Sequence, residues 1–273
     1  MMNSFDDKIR KWFSEQGYPL EMRVAMAFQT HKFIVTLSSY YKDSDENKYR
    51  EIDIIVSRNL YFQQSPLLFI DLTYVIECKY SPDKPWILLQ SMADNDSGIS
   101  HDIDKRIATT MGKLALLELS LDNDARNNKI FTFDNRLSYG VTRAFENHSD
   151  MPYKALFSVC KAANSRAIEI DKLWNNKTTS KIEFIFPLVI VDGQLYDCNL
   201  GNDNDIILNN VSKGTVIFRN PSIGDNLSFV EIVTEQGLED FIKIINSEAD
   251  ILQNCIRHNL PKTKERIEIE QMS

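Results

Sequence analysis

Leu72-Thr73-Tyr74-Val75-Ile76-Glu77-Cys78-Lys79-Tyr80 decides how the chain is read. Its β-branched and aromatic residues, with no Gly or Pro among them, predict a strand. Side chains alternate along a strand, so Thr73, Val75, Glu77 and Lys79 take one face and Tyr74, Ile76, Cys78 and Tyr80 the other. An acid and a base two residues apart on an apolar strand are costly to bury unless something pairs with them. A divalent cation and a phosphate are such partners; a cross-strand ion pair on a half-exposed sheet is the plainer alternative.

Toward the N-terminus, residues 19–31 predict a helix, with Pro19 near its first position and Glu21 in its first turn. Glu21, Val24, Ala25 and Phe28 fall on one stripe. Glu21 on that stripe is either a functional carboxylate or an acid favoured by the helix dipole. Residues 33–37 predict a strand, 41–48 a charged turn, and 49–57 a second strand. There Glu51, Asp53 and Ile55 share a face, and Asp53 stands among isoleucines rather than at an end or turn.

Toward the C-terminus, residues 81–85 break the strand and 86–150 read as an insertion at the mouth of a site, with helical periodicity over 105–121. Pro152 opens a long helix to about residue 174, with Leu156, Cys160, Ala163 and Ala167 on an apolar stripe and Lys154, Ser158 and Lys161 on another face. Residues 182–191 form a nearly continuous apolar run, expected of a strand covered on both faces. Pro187 inside it suggests a bulge or an edge. Asp192-Gly193 then signals a turn into a returning strand over 194–198. After Gly201 the composition shifts; short strands at 216–218 and 229–233 and a helix from Leu238 are expected to form a small α+β accessory unit, residues 201–273.

The 273 residues carry a net charge of −8, with a pI near 5.1. This counts against a general polyanion-binding surface and leaves room for a local basic groove. It also suits a site that gathers carboxylates around a metal. No apolar run of membrane-spanning length occurs and the first residues do not read as a signal peptide, so no membrane association is expected. The four cysteines and four histidines have no paired or metal-ligand spacing, which suggests reduced thiols and a cytoplasmic setting.

A helix with Glu21, a strand, a strand with Asp53, a strand with Glu77-Cys78-Lys79, a helix and a buried strand, in that order, resemble the PD-(D/E)xK nuclease superfamily over residues 14–200. Ile52 stands before Asp53 where the family name has Pro, and many members share that departure. The resemblance implies an α/β (mixed) fold with a restriction-endonuclease-like core, a central mixed sheet flanked by helices, in a domain over residues 1–200. It implies a metal-dependent phosphodiesterase acting on nucleic acid, DNA favoured, with Mg²⁺ or Mn²⁺ as cofactor and a homodimer as an option. By family pattern Asp53, Glu77 and the Cys78 carbonyl would hold the metal. Lys79 would sit beside the attacking water, and Glu21 would act through a second metal or a bound water. Lys154 and Lys161 are either phosphate contacts or solvated lysines, and Glu51 is the substitute for Asp53. Two other readings stay open: the same fold holding nucleic acid or a protein without cleavage, and a structural protein whose charges form an ion-pair network.

Overall fold

In the computed structural model, which describes residues 4–14, 16–43, 45–60, 68–90, 103–133, 137–146, 150–174, 180–219 and 227–272, the chain begins with α1 (Phe5–Ser14) and α2 (Tyr18–Thr30). The antiparallel strands β1 (Ile34–Asp43), β2 (Lys48–Asn59) and β3 (Leu68–Tyr80) follow. Pro19 lies in the first turn of α2, and Leu20, Val24, Ala25 and Phe28 are its buried stripe. Helix α1 carries Phe5, Ile9, Trp12 and Phe13 at helical spacing yet buries none of them. Strand β1 runs six residues past Leu37, into the stretch expected as a charged turn. Asp43 at its end is 1% exposed and receives Lys161 and Arg50, so its charge no longer opposes a strand end in the interior.

Next come β4 (Trp86–Gln90), β5 (Ile107–Ala108), α3 (Thr110–Leu119), α4 (Asn123–Arg126) and β6 (Ser138–Arg143). The long helix α5 (Met151–Trp174) leads into β7 (Ser180–Asp192). Strand β7 lies parallel to β3 in unbroken register from Leu68↔Ser180 to Tyr80↔Asp192. A crossover of this kind puts α5 over one face of the sheet. Alternation along β7 divides the interior in two. Ile182, Phe184, Phe186, Leu188 and Ile190 join Tyr74, Ile76 and Cys78 under α2 and α3. Ile185, Val189 and Val191 join Val75 under Ala155, Leu156 and Val159 of α5. Burial on both sides is the reason the sequence reads as a continuous apolar run. On its second edge β7 pairs with β5 at residues 184–185 and with a later strand from Leu188 onward. Pro187 falls in the gap between these ladders, where a missing N–H is tolerated.

The remainder is β8 (Leu195–Leu200), β9 (Ile206–Val211), β10 (Lys213–Phe218), β11 (Ser228–Thr234) and α6 (Leu238–Met272). Two expectations change here. Strand β8 does not return along β7; it pairs with β4 and β9, because both edges of β7 are already taken. Gly193 makes the diversion: a Cβ there would stand 2.3 Å from the Ser81 carbonyl oxygen. Residues after Gly201 enter the main sheet rather than standing beside it. β11 lies parallel to β7, and Leu238, Phe241, Ile242 and Ile245 of α6 close the core over Tyr74 and Phe186. The sheet order is β1-β2-β3-β7-β11-β10-β6-β4-β8-β9, with β5 beside β7. The described fold is therefore mixed α/β around one sheet. Only Ser212 separates β9, at the end of this order, from β10 in its middle. Among the described residues no helix is long and apolar enough to cross a membrane.

Candidate active site

Strands β2 and β3 pair only from Asn59↔Asp71 to Ile54↔Ile76. Beyond that pair β2 stays with β1 down to Lys48, and β3 stays with β7 up to Tyr80. The two strands part at this point and open a fork. Carrying the register one residue further sets Asp53 opposite Glu77, and residues directly opposite in an antiparallel pair share a face. The Cys78 amide, left without a β2 partner, donates to Asp53 Oδ2 at 2.7 Å. The Cys78 carbonyl leaves from the same edge of β3.

Glu77 is 6% exposed, and both its oxygens are engaged. Ser158 Oγ of α5 donates to Oε1 at 2.7 Å, and the Lys79 ammonium pairs with Oε2. Tyr41, buried near the end of β1, stands beside Ser158, and burial pushes its phenol above the ordinary value. Glu77 is thereby held from two elements, β3 and α5. In the sequence Ser158 stands out only as a member of the face it shares with Lys154 and Lys161. Nothing in sequence separates it from an ordinary solvated serine, and Tyr41 lay in a stretch expected as a turn.

The electrostatics set several acids against one base. Burial, and then the charge of Glu77, push the Asp53 carboxyl up to about 6, against the pull of Lys79 and the Cys78 amide. Burial and the nearby charges of Glu51 and Glu77 raise Glu21, with Lys79 acting the other way. Glu21 on α2 is thus within electrostatic range of Glu51, Glu77 and Lys79. For Lys79 burial opposes the charged form, yet Glu77 and Asp53 outweigh it and its pKa rises. Lys79 therefore remains an ammonium at neutral pH. Burial drives the Cys78 thiol well above its ordinary range, which leaves it an apolar wall rather than a nucleophile.

The two expected phosphate contacts lie elsewhere in character. Lys154 is exposed and 3.6 Å from Asp150 one turn away. Lys161 is buried and takes neither of its expected roles. Its ammonium meets Asp43 at 2.8 Å and Asp45 at 2.7 Å, and lies 4.4 Å from the centre of the Phe157 ring. That charge anchors the end of the β1–β2 hairpin to α5.

Among the described residues no group of three or more His, Cys, Asp or Glu side chains is placed to close around one metal ion. The fork instead offers two facing carboxylates and a backbone carbonyl edge. That set suits Mg²⁺, which commonly binds through one or two carboxylates and keeps several waters, and the excess of negative charge, with Asp53 pushed up by Glu77, is what a divalent cation would relieve. It does not suit zinc, which takes nitrogen and sulfur ligands in a closed shell. Comparison with protein families, with curated proteins and with solved structures finds no match for this chain.

Proposed function

We propose that the chain is a metal-dependent nuclease of the PD-(D/E)xK type, hydrolysing phosphodiester bonds of nucleic acid, DNA favoured, at the fork between β2 and β3. The observation that carries this reading is the join of Asp53 to the Glu77-Cys78-Lys79 stretch: Asp53 bonds the Cys78 amide at 2.7 Å and its carboxyl is raised by the charge of Glu77. The antiparallel β1-β2-β3 unit, the α5 crossover and parallel β7 are consistent with a restriction-endonuclease-like core.

Asp53 and Glu77, with the Cys78 carbonyl, would hold Mg²⁺. The bound ion would supply neutralisation of phosphate oxygens and a more acidic water. The rest falls to the chain. Ser158 and Lys79 fix the Glu77 carboxylate, so its position costs no reorganisation when substrate arrives. Lys79, held protonated, donates hydrogen bonds to the attacking water or to a phosphate oxygen as charge develops there. Asp53 deprotonates as pH rises through about 6, which makes it a ligand at neutral pH. By the family pattern Glu21 would accept a hydrogen bond from water at the fork.

The test is cleavage of supercoiled plasmid, linear duplex and single strands with Mg²⁺, Mn²⁺ or EDTA, comparing wild type with Asp53→Asn. Metal-dependent cleavage that Asp53→Asn abolishes supports the reading. Metal binding without cleavage of any substrate favours a nuclease-fold binding module. Neither binding nor cleavage leaves the charges as a structural ion-pair network.

A further inference from the structure

A second opening lies further along the sheet, between β10 and β6. Strands β6 and β10 share a single pair, Val216↔Ser138, before they part. The outer edges of these strands are taken by β4 and β11. Among the described residues, the edges that face each other beyond that pair have no strand partner, which leaves backbone N–H and C=O groups along the gap. The gap is a pocket of about 510 Å³, within the range of small-ligand sites. Its floor is apolar and buried: Leu156, Val216 and Phe218 are each no more than 8% exposed. Its rim is aromatic and exposed: Tyr139 and Tyr153 are 67% and 53% accessible, and Tyr153 stands edge-on to Phe218 with ring centres 5.6 Å apart. Arg219 is at the mouth, and among the described residues it has no carboxylate partner.

We infer that this pocket takes an unpaired nucleobase of a nucleic-acid strand, stacked on the rim tyrosines, with an adjoining phosphate at Arg219. Each part of the ligand has its counterpart. Flat apolar walls and exposed rings suit the face of a base, and unpaired backbone groups suit its polar edge. An arginine on a chain of net charge −8 supplies the local positive charge a phosphate needs. A base inside a duplex cannot reach such a pocket without leaving its stack, so the preferred substrate is single-stranded or has a disrupted pair.

The inference rests on the nuclease reading for the polymer, and α5 joins the two sites. Ser158, which holds Glu77, and Tyr153 are five residues apart on that helix, about 7.5 Å along its axis and about 140° around it, so the two side chains leave different faces of α5. The fork and the gap stand four strand spacings apart, about 19 Å across the sheet, so the pocket would hold a base several nucleotides from the bond to be cut.

The experiment measures binding in EDTA, so that cleavage plays no part. Labelled single-stranded DNA, single-stranded RNA of the same sequence and blunt duplex DNA are titrated against the full chain and against Tyr153→Leu, Tyr139→Ser and Arg219→Gln. Tyr153→Leu keeps apolar volume against Phe218, and the other two sites are exposed, so folding is retained and is checked by thermal unfolding. Loss of one stacking partner is expected to weaken single-strand binding about 5- to 150-fold, with duplex binding unchanged. The DNA and RNA arms tell which strand supplies the base. Folded variants that bind single strands as wild type does, or a wild type that prefers the duplex, overturn the inference. Pocket-dependent binding by a chain that cuts no substrate upholds the pocket and removes the nuclease reading. Metal-dependent cleavage with no pocket-dependent binding does the reverse.

Discussion

Replacing Asp53 with Asn should make the metal-free protein more stable at neutral pH, although it damages the candidate active site. The Asp53 carboxyl stands near 6 in the fold against 3.8 in the unfolded chain, because burial and Glu77 disfavour its charge. A folded state that holds a proton more tightly than the unfolded state loses stability as pH rises between those two values, and the loss is complete above about 6. Two pH units correspond to about 3 kcal/mol, an upper figure since Lys79 loses a partner in the variant. Asn is nearly isosteric and its carbonyl can still accept from the Cys78 amide, so that hydrogen bond survives. At about 2–4 °C per kcal/mol for a chain of this size, the variant should melt up to about 6–12 °C above wild type at pH 7.5. The gap should narrow to about 1 kcal/mol near pH 4.5 and vanish toward about pH 3. Mg²⁺ should raise the wild-type Tm and leave that of the variant where it is, because binding to the folded form stabilises it. Thermal unfolding monitored by circular dichroism at both pH values, with and without Mg²⁺, decides the matter. An Asp53→Asn protein less stable than wild type at pH 7.5, or equally shifted at both pH values, would refute the electrostatic account.

Lys79→Met, which keeps the apolar stem, should retain metal binding measured by calorimetry while cleavage falls about 10²–10⁴-fold; full activity would remove Lys79 from the chemistry. Lys161→Met should destabilise by about 3–5 kcal/mol in denaturant unfolding, because the side chain of Asp43 is fully buried and would lose a principal partner. Arg50 remains beside Asp43, so a value at the low end is expected. The Asp43 carboxyl is held down to about 2 by Lys161 and Arg50 against the cost of its burial. The stability this adds is present above the ordinary carboxylate range and is lost in wild type as pH falls toward 2. Gly193→Ala should cost about 1–3 kcal/mol by overpacking against the Ser81 carbonyl; an unchanged denaturation midpoint would show that the crossing of β7 into β8 has slack.

What the sequence determined by itself was local and periodic. Alternation over residues 72–80 put Glu77 and Lys79 on one face, because the side-chain period of a strand is two whatever surrounds it. Parity over 49–57 put Asp53 on a definite face of its own strand, and continuous apolar runs marked β7 as covered on both sides. Helical spacing marked α2 and α5 in the same way. Tertiary structure decided what depends on which edges and faces meet. The register Ile54↔Ile76 brings Asp53 opposite Glu77, and the strands part there because β1 and β7 hold them from outside. No local pattern encodes that parting. Ser158 became a partner of Glu77 only because α5 crosses that face. Lys161 became a buried anchor only because the β1–β2 hairpin carries Asp43 to it. The strands after Gly201 looked separable because each is short. They are integral because β7 still had an unpaired edge, and a buried edge must find hydrogen-bond partners wherever in the chain they lie.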